Sequence, residues 1–117
     1  MPPHNDIIDV ACRRFDACRQ TLSRKSDEYA SDEDSLHNFR RAGDVLGCSP
    51  ARALVGMMAK HFVSILDIVD LVDRGSAVVN EEQLDEKITD AICYLVLLEA
   101  LLKDEALDDE DGELIGE

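Results

Sequence analysis

The chain reads as an all-α protein, a small four-helix-bundle-like domain that ends in two long antiparallel helices. Two observations predict this. Apolar residues recur every three to four positions in four separate segments, and nowhere alternate with the period of two that a half-buried strand needs. Hydrophobic content is 45% but aromatic content only 4%, with no Trp, so the core must be built from aliphatic side chains that suit helix packing. At 117 residues the chain is one domain.

The first helix is expected from Asn5 to about Arg24, on the spacing of Ile7, Ile8, Ala11, Phe15, Cys18 and Leu22. Residues 25–34, KSDEYASDED, have no periodicity and too much charge to pack, and read as a loop. Asp34 or Ser35 then caps a short second helix that carries Leu36, Phe39, Val45 and Leu46 and stops near Gly47. Ser49 before Pro50 is a helix N-cap with proline at the first helical position, and the third helix runs toward Gly75. Asn80 caps the fourth, with Gln83 at the capping-box position, and it extends to about Lys103. The connection between these last two helices is short, so they lie antiparallel. Residues 1–103 form the folded unit, and 104–117 read as an acidic, disordered tail with few apolar anchors.

Charge excludes some functions. The net charge is −14, and residues 103–117 carry eight acids against one Lys, so half of the imbalance sits in the tail. No global field draws this chain to nucleic acid or to an anionic membrane, and direct nucleic-acid binding is not expected. The four Cys lack CxxC spacing, no secretory leader is read, and no apolar run reaches a membrane span of ~18 residues. The expectation is a cytoplasmic, reduced protein. Cys12, Cys18 and Cys93 fall at core-type helix positions, where a structural thiol is the simplest reading.

Beyond Ala91 the fourth helix is apolar around nearly its whole circumference, more than a small chain can cover by itself, so a homo-oligomer, a dimer or higher, is expected. Its entrance is acidic. Glu82, Glu86 and Asp90 fall on one stripe that continues through Cys93 and Leu97, so these acids point along a face that becomes buried. On the third helix Lys60, Ser64 and Asp67 make a comparable stripe, with His61 at its margin. Each has a bland reading. Acids in a first helical turn complement the helix dipole, Lys60 and Asp67 suit a water-facing stripe, and Glu86 or Asp90 could pair with Lys60, Arg40 or Arg41 to set helix register.

The functional reading is a metal cluster. Carboxylates about one turn apart repel unless a cation sits between them, and a hydrated Mg²⁺ bound by one or two of them completes its sphere with substrate phosphates. Asp67, Glu82, Glu86 and Asp90 are the candidate metal ligands. Lys25, Lys60 and His61 would neutralise phosphate, while Tyr29, Asn38 and Tyr94 could meet a base or ribose. No Gly-rich phosphate loop is present and no catalytic residue is assigned.

The residues KSDEY (25–29), HNF (37–39), ALVGMMAKHFVSILD (53–67) and EKITDAICYLVLLEALL (86–102) resemble a family of small helical proteins encoded mainly by bacteriophages and prophages. That group is similar to phage domains associated with nucleotide modification, and more distantly to all-α nucleoside-triphosphate pyrophosphatases of the MazG and dUTPase type. The resemblance implies a helical oligomer holding Mg²⁺ on an ExxE and a later ExxD motif, and cleaving between the α and β phosphates. Glu82 and Asp85 keep the ExxD spacing, but the earlier pair is DIVD, Asp67 and Asp70. A protein of another class also fits: a non-catalytic oligomer that sequesters a nucleotide, such as a cyclic signal of a host antiviral system. An acidic DNA mimic ranks last, because so much of the charge is tail.

Overall fold

The computed structural model describes residues 4–28, 36–75 and 79–107. Within them lie four helices and no strand: α1 (His4–Glu28), α2 (His37–Leu46), α3 (Pro50–Asp73) and α4 (Glu81–Leu107). The all-α reading is correct, and several boundaries follow from local chemistry visible in the sequence. Ser49 has extended backbone and its Oγ accepts from Arg52 N at 3.1 Å, with Pro50 at the first helical position. Asn80 Oδ1 accepts from Gln83 N at 3.0 Å. Gly47 takes the left-handed conformation at φ 73, and Cys48 N donates to Gly43 O at 3.0 Å to close α2. Removing the Ser49 hydroxyl in Ser49→Ala should lower stability by about 1 kcal/mol, read as a shift of the urea midpoint at unchanged slope.

Other boundaries move. Lys25 to Glu28 continue α1, where a loop was expected. The apolar spacing from Ile7 to Leu22 gives the helix more than four turns, and the backbone propagates from them into this charged stretch. Leu36 stands at the N-cap of α2 without a side-chain cap bond; Asp34 and Ser35 lie outside the described residues. At the end of α3, Arg74 occupies the C-cap, its N–H donating to Asp70 O, and Gly75 follows at φ 83. α4 runs one turn past Lys103, so Asp104 to Leu107 are helical. Asp104 is held by the Arg40 guanidinium, a long-range pair that gives this acid an anchor the sequence did not reveal. On the same turn Lys103 Nζ donates to Glu99 at 2.6 Å and holds its carboxyl below the ordinary range. That depressed value means the pair's contribution is present at neutral pH and is lost as the pH falls through the folded value.

Packing makes α4 the central element. α3 runs antiparallel to it, with His61 beside Asp90, and Leu54 and Leu101 in one cluster. α1 runs parallel to α4: Arg14 reaches Asp85 and Thr89, and four residues later Cys18 Sγ meets Thr89 O while Cys93 Sγ meets Cys18 O, both at 3.7 Å. α2 packs on α3 and touches α4 through the edge-to-face pair Phe39–Tyr94, 6.3 Å between centroids. Among the described residues, α1 packs against neither α2 nor α3. The bundle is therefore open, a layer ordered α1, α4, α3 with α2 across one end.

The core is small. Leu36, Phe39, Leu54, Met58 and Leu101 form it, with Leu54 and Leu101 fully enclosed. Gly43 sits where α2 meets the start of α3. A Cβ there would lie 2.7 Å from Cys48 O and 3.1 Å from Pro50 N, both backbone atoms that cannot swing away. Gly43→Ala should therefore cost about 2 kcal/mol by forcing the α2–α3 turn apart, seen as a lower melting temperature with helix content retained.

Two faces of the layer follow from the contacts and the ~100° step per residue. On α4 the residues toward α1 (Asp85, Thr89, Cys93) and toward α3 (Asp90, Tyr94, Leu101) leave Glu86 and Leu97 between them on one side, the front. The opposite side, the back, carries Ile88, Ile92, Leu95 and Leu102.

Candidate functional site: a charged crevice between the first and last helices

Arg14, Ala17, Thr21 and Arg24 follow one another at spacings of three and four, so α1 turns this single stripe toward the front. α4 answers with Glu86, Thr89 and Asp90. Together with Asp85 they line an open crevice of about 460 Å³. Two guanidinium groups thus share one surface with three carboxylates.

Arg14 organises the wall. Its Nη1 donates to Thr89 Oγ1 at 2.8 Å and to Asp85 O at 3.3 Å, and its Nη2 donates to Asp85 Oδ1 at 2.7 Å. The side chain is only 18% exposed, whereas that of Asp85 is 59% exposed, so the cation is held from the inner side and the acid from water. Thr89 is buried, and Arg14 satisfies its hydroxyl. Arg24 is exposed at the edge of the crevice and pairs with no carboxylate among the described residues.

Asp90 faces a second neighbour. His61 Nδ1 lies 3.8 Å from Asp90 Oδ2, too long for a hydrogen bond, and that buried nitrogen has no hydrogen-bond partner among the described residues. The His61 ring stacks at a tilt of 38° on Tyr94, 4.9 Å between centroids, and Tyr94 in turn abuts Phe39. Asp90 is half-buried, whereas Glu86 one turn earlier is exposed at the crevice mouth.

The sequence-derived candidates divide accordingly. Glu86, Asp90 and His61 come together, and Tyr94 supports them from behind as a packing residue between two rings. Glu82 lies one turn below Glu86 on the same stripe, exposed. Asp67 is exposed on α3 and does not line the crevice. Lys60 goes elsewhere: it borders a separate groove of about 470 Å³ between α2 and α3, with Arg52, Leu46 and Met57. The acids are therefore opposed by Arg14 and His61 and not by Lys60, Arg40 or Arg41, and Arg40 belongs to Asp104. Asn38 is exposed on α2; Tyr29 and the Lys25 side chain lie outside the described residues. Among the described residues no three of His, Cys, Asp and Glu converge as a ready-made metal site within one chain.

Of the thiols, Cys18 and Cys93 are buried as expected, but Cys12 is exposed, because it falls about 120° off the Cys18 line that α1 presents to α4. All four are free. The residues the sequence reading missed are Arg14, Thr21, Arg24 and Thr89. The signal was there in the 14, 17, 21, 24 spacing, a narrow polar stripe with a small residue inside it next to the apolar one. What it lacked was a partner, since nothing in the sequence says that α1 lies alongside the acidic turn of α4.

No helix among the described residues is long and apolar enough to cross a membrane. No protein-family model matches the chain, and the comparisons with curated proteins and with solved structures find no match either. The function has to be argued from the crevice itself.

Proposed function

We propose that this protein binds a Mg²⁺-nucleotide, with the phosphates in the α1–α4 crevice against Arg14 and Arg24 and the ion held by Glu86 and Asp90. One observation supports this above the others: a carboxylate pair one helical turn apart shares an open crevice with two guanidinium groups. Carboxylates alone would suit a bare cation, and guanidinium groups alone a bare anion. Both together suit a ligand that brings its own divalent ion bound to phosphate oxygens. The volume is in the range of small-molecule sites.

Mg²⁺ there would neutralise the phosphates and offset the repulsion between Glu86 and Asp90. Arg24 contributes a second guanidinium at the crevice edge, and Arg14, fixed by three hydrogen bonds, contributes a charge that does not have to be reorganised on binding. Binding without cleavage is the form the geometry favours. Asp90 faces His61, Glu86 is exposed, and Asp85, the third carboxylate of the crevice, is taken by Arg14, so among the described residues no three such groups converge on one point. The pyrophosphatase-like reading would need a further carboxylate on the metal; Asp85 lines the same crevice but is held by Arg14, and Glu82 lies one turn before Glu86 on its stripe.

The test is calorimetric titration of the protein with a pool of nucleoside mono-, di- and triphosphates and cyclic dinucleotides, with and without Mg²⁺, together with an assay for released pyrophosphate. Binding that needs Mg²⁺, and that weakens at least tenfold in both Asp90→Asn and Arg24→Ala, is the expected result. Recovery of the intact ligand would assign sequestration, and pyrophosphate release abolished in Asp90→Asn would assign hydrolysis. The absence of any binding heat across the pool would remove the nucleotide reading.

A further inference from the structure

Independently of the crevice, we infer that the back of the helix layer is the surface through which this chain pairs with a second copy of itself. The observation is a continuous apolar face with no covering element among the described residues. On α3 the residues Val55, Ala59, Phe62, Leu66 and Val69 are spaced four, three, four and three apart and all are exposed, Leu66 by 59%. They sit one residue after Leu54, Met58, His61, Ile65 and Ile68, the stripe by which α3 packs on α4. α3 therefore carries two parallel seams of heptad type and uses one of them inside the chain.

α4 repeats the pattern. Ile88, Ile92, Leu95 and Leu102 keep the same spacing on its back side, the first two half-buried and the last two exposed. α1 adds Ile8 and Phe15, the latter 61% exposed, on the flank opposite the Arg14–Arg24 stripe. The wheel positions agree for all three helices: where the contacts put the crevice on one side, they put these residues on the other. The helix running parallel and the helix running antiparallel to α4 give the same answer.

Area and charge select the occupant. The eight exposed side chains Val55, Phe62, Leu66, Val69, Leu95, Leu102, Ile8 and Phe15 present on the order of 700 Å² at roughly half exposure, close to the ~800 Å² that each partner gives to a stable interface. That exceeds the few hundred Å² a monomer ordinarily leaves open. A single amphipathic helix from another protein would fill the trough between the α3 and α4 seams and leave Ile8 and Phe15 bare. A second three-helix layer covers the full width. Charge allows it as well, because Glu99 in the α4 stripe is paired with Lys103, so two acidic molecules meet there without an unmatched carboxylate at the centre of the contact. The paired seams of the two copies then form a four-helix core of α3 and α4 from each.

The experiment is sedimentation equilibrium on the full chain across micromolar concentrations, repeated for Phe62→Glu and Leu66→Glu on the back face and for Ser64→Glu on the front. The expected result is a mass twice the 13.0 kDa of one chain, or an even multiple, falling to 13.0 kDa in both back-face variants at undiminished helical circular dichroism, with Ser64→Glu unchanged. Each back-face charge should raise the dissociation constant on the order of a hundredfold or more, since it is buried without a partner at the seam. Because each copy carries a net charge of −14, the wild-type association should strengthen with added salt. A wild-type chain that stays at 13.0 kDa throughout, or an oligomer untouched by both back-face variants, overturns the assignment. Neither result bears on nucleotide binding, which the titration above reads separately.

Discussion

Leu54→Ala should lower the unfolding free energy by about 3 kcal/mol, the largest effect expected of any single truncation in this chain. Leu54 is fully enclosed between α2, α3 and α4, in one cluster with Leu36, Phe39, Met58 and Leu101. Removing three heavy atoms from it loses their transfer free energy and leaves a void that the neighbours cannot fill, because Leu101 is equally enclosed and Phe39 is held edge-on against Tyr94. Few other described residues are this deeply buried, so a small protein loses a large share of its stability. Leu101→Ala should match it to within about 1 kcal/mol, and the double variant should cost less than the sum, because the two side chains border one cavity. Urea denaturation followed at the helical band measures all three. A Leu54→Ala change below about 1 kcal/mol would mean that this cluster is not the core.

Arg14→Ala is expected to release α1 from α4. The guanidinium makes three hydrogen bonds to Asp85 and Thr89, and its loss strands the hydroxyl of a buried threonine. The cost should be about 2 kcal/mol, taking the stranded group as the main part and the partly exposed ion pair as the lesser one. α1 packs on α4 alone among the described elements, so the effect should be local: faster amide exchange along α1, and earlier protease cleavage there, with α3 and α4 protected as before. Arg14→Lys should restore little of it, because an ammonium cannot span the carbonyl, the hydroxyl and the carboxylate from one planar fork. The same variant should weaken Mg²⁺-nucleotide binding if the crevice holds the ligand, whereas Gly43→Ala, at the other end of the layer, should leave binding intact at temperatures where the protein is folded.

Much of the local structure was legible in the residues. Ser49 with Pro50, Asn80 with Gln83, and Gly47 each mark a helix end through a bond made within four residues, so no tertiary information is needed to place them. Helix number and the antiparallel α3–α4 pair followed from periodicity and a short connection. The acid pair was legible as a feature, since Glu86 and Asp90 open an otherwise apolar helix. Its neighbours were not. Glu86 and Asp90 looked toward Lys60 on the wheel of α3, yet the crevice is completed by Arg14 and Arg24 from α1, some seventy residues away in sequence, and Lys60 lines a different groove.

The amino-acid sequence alone therefore determined an aliphatic, all-α chain of four helices, with side-chain N-caps on the last two and an acidic turn at the head of the last, because propensity, capping and amphipathic period act over a few residues. Only the tertiary structure decided that α1 runs parallel to α4, that α1 and α3 stay apart, and that the layer has a charged front and a bare apolar back. Those outcomes depend on which of several apolar stripes is used inside the chain. α3 carries two such stripes one residue apart, and the choice between them is made by the summed packing of all four helices, a quantity no local pattern contains.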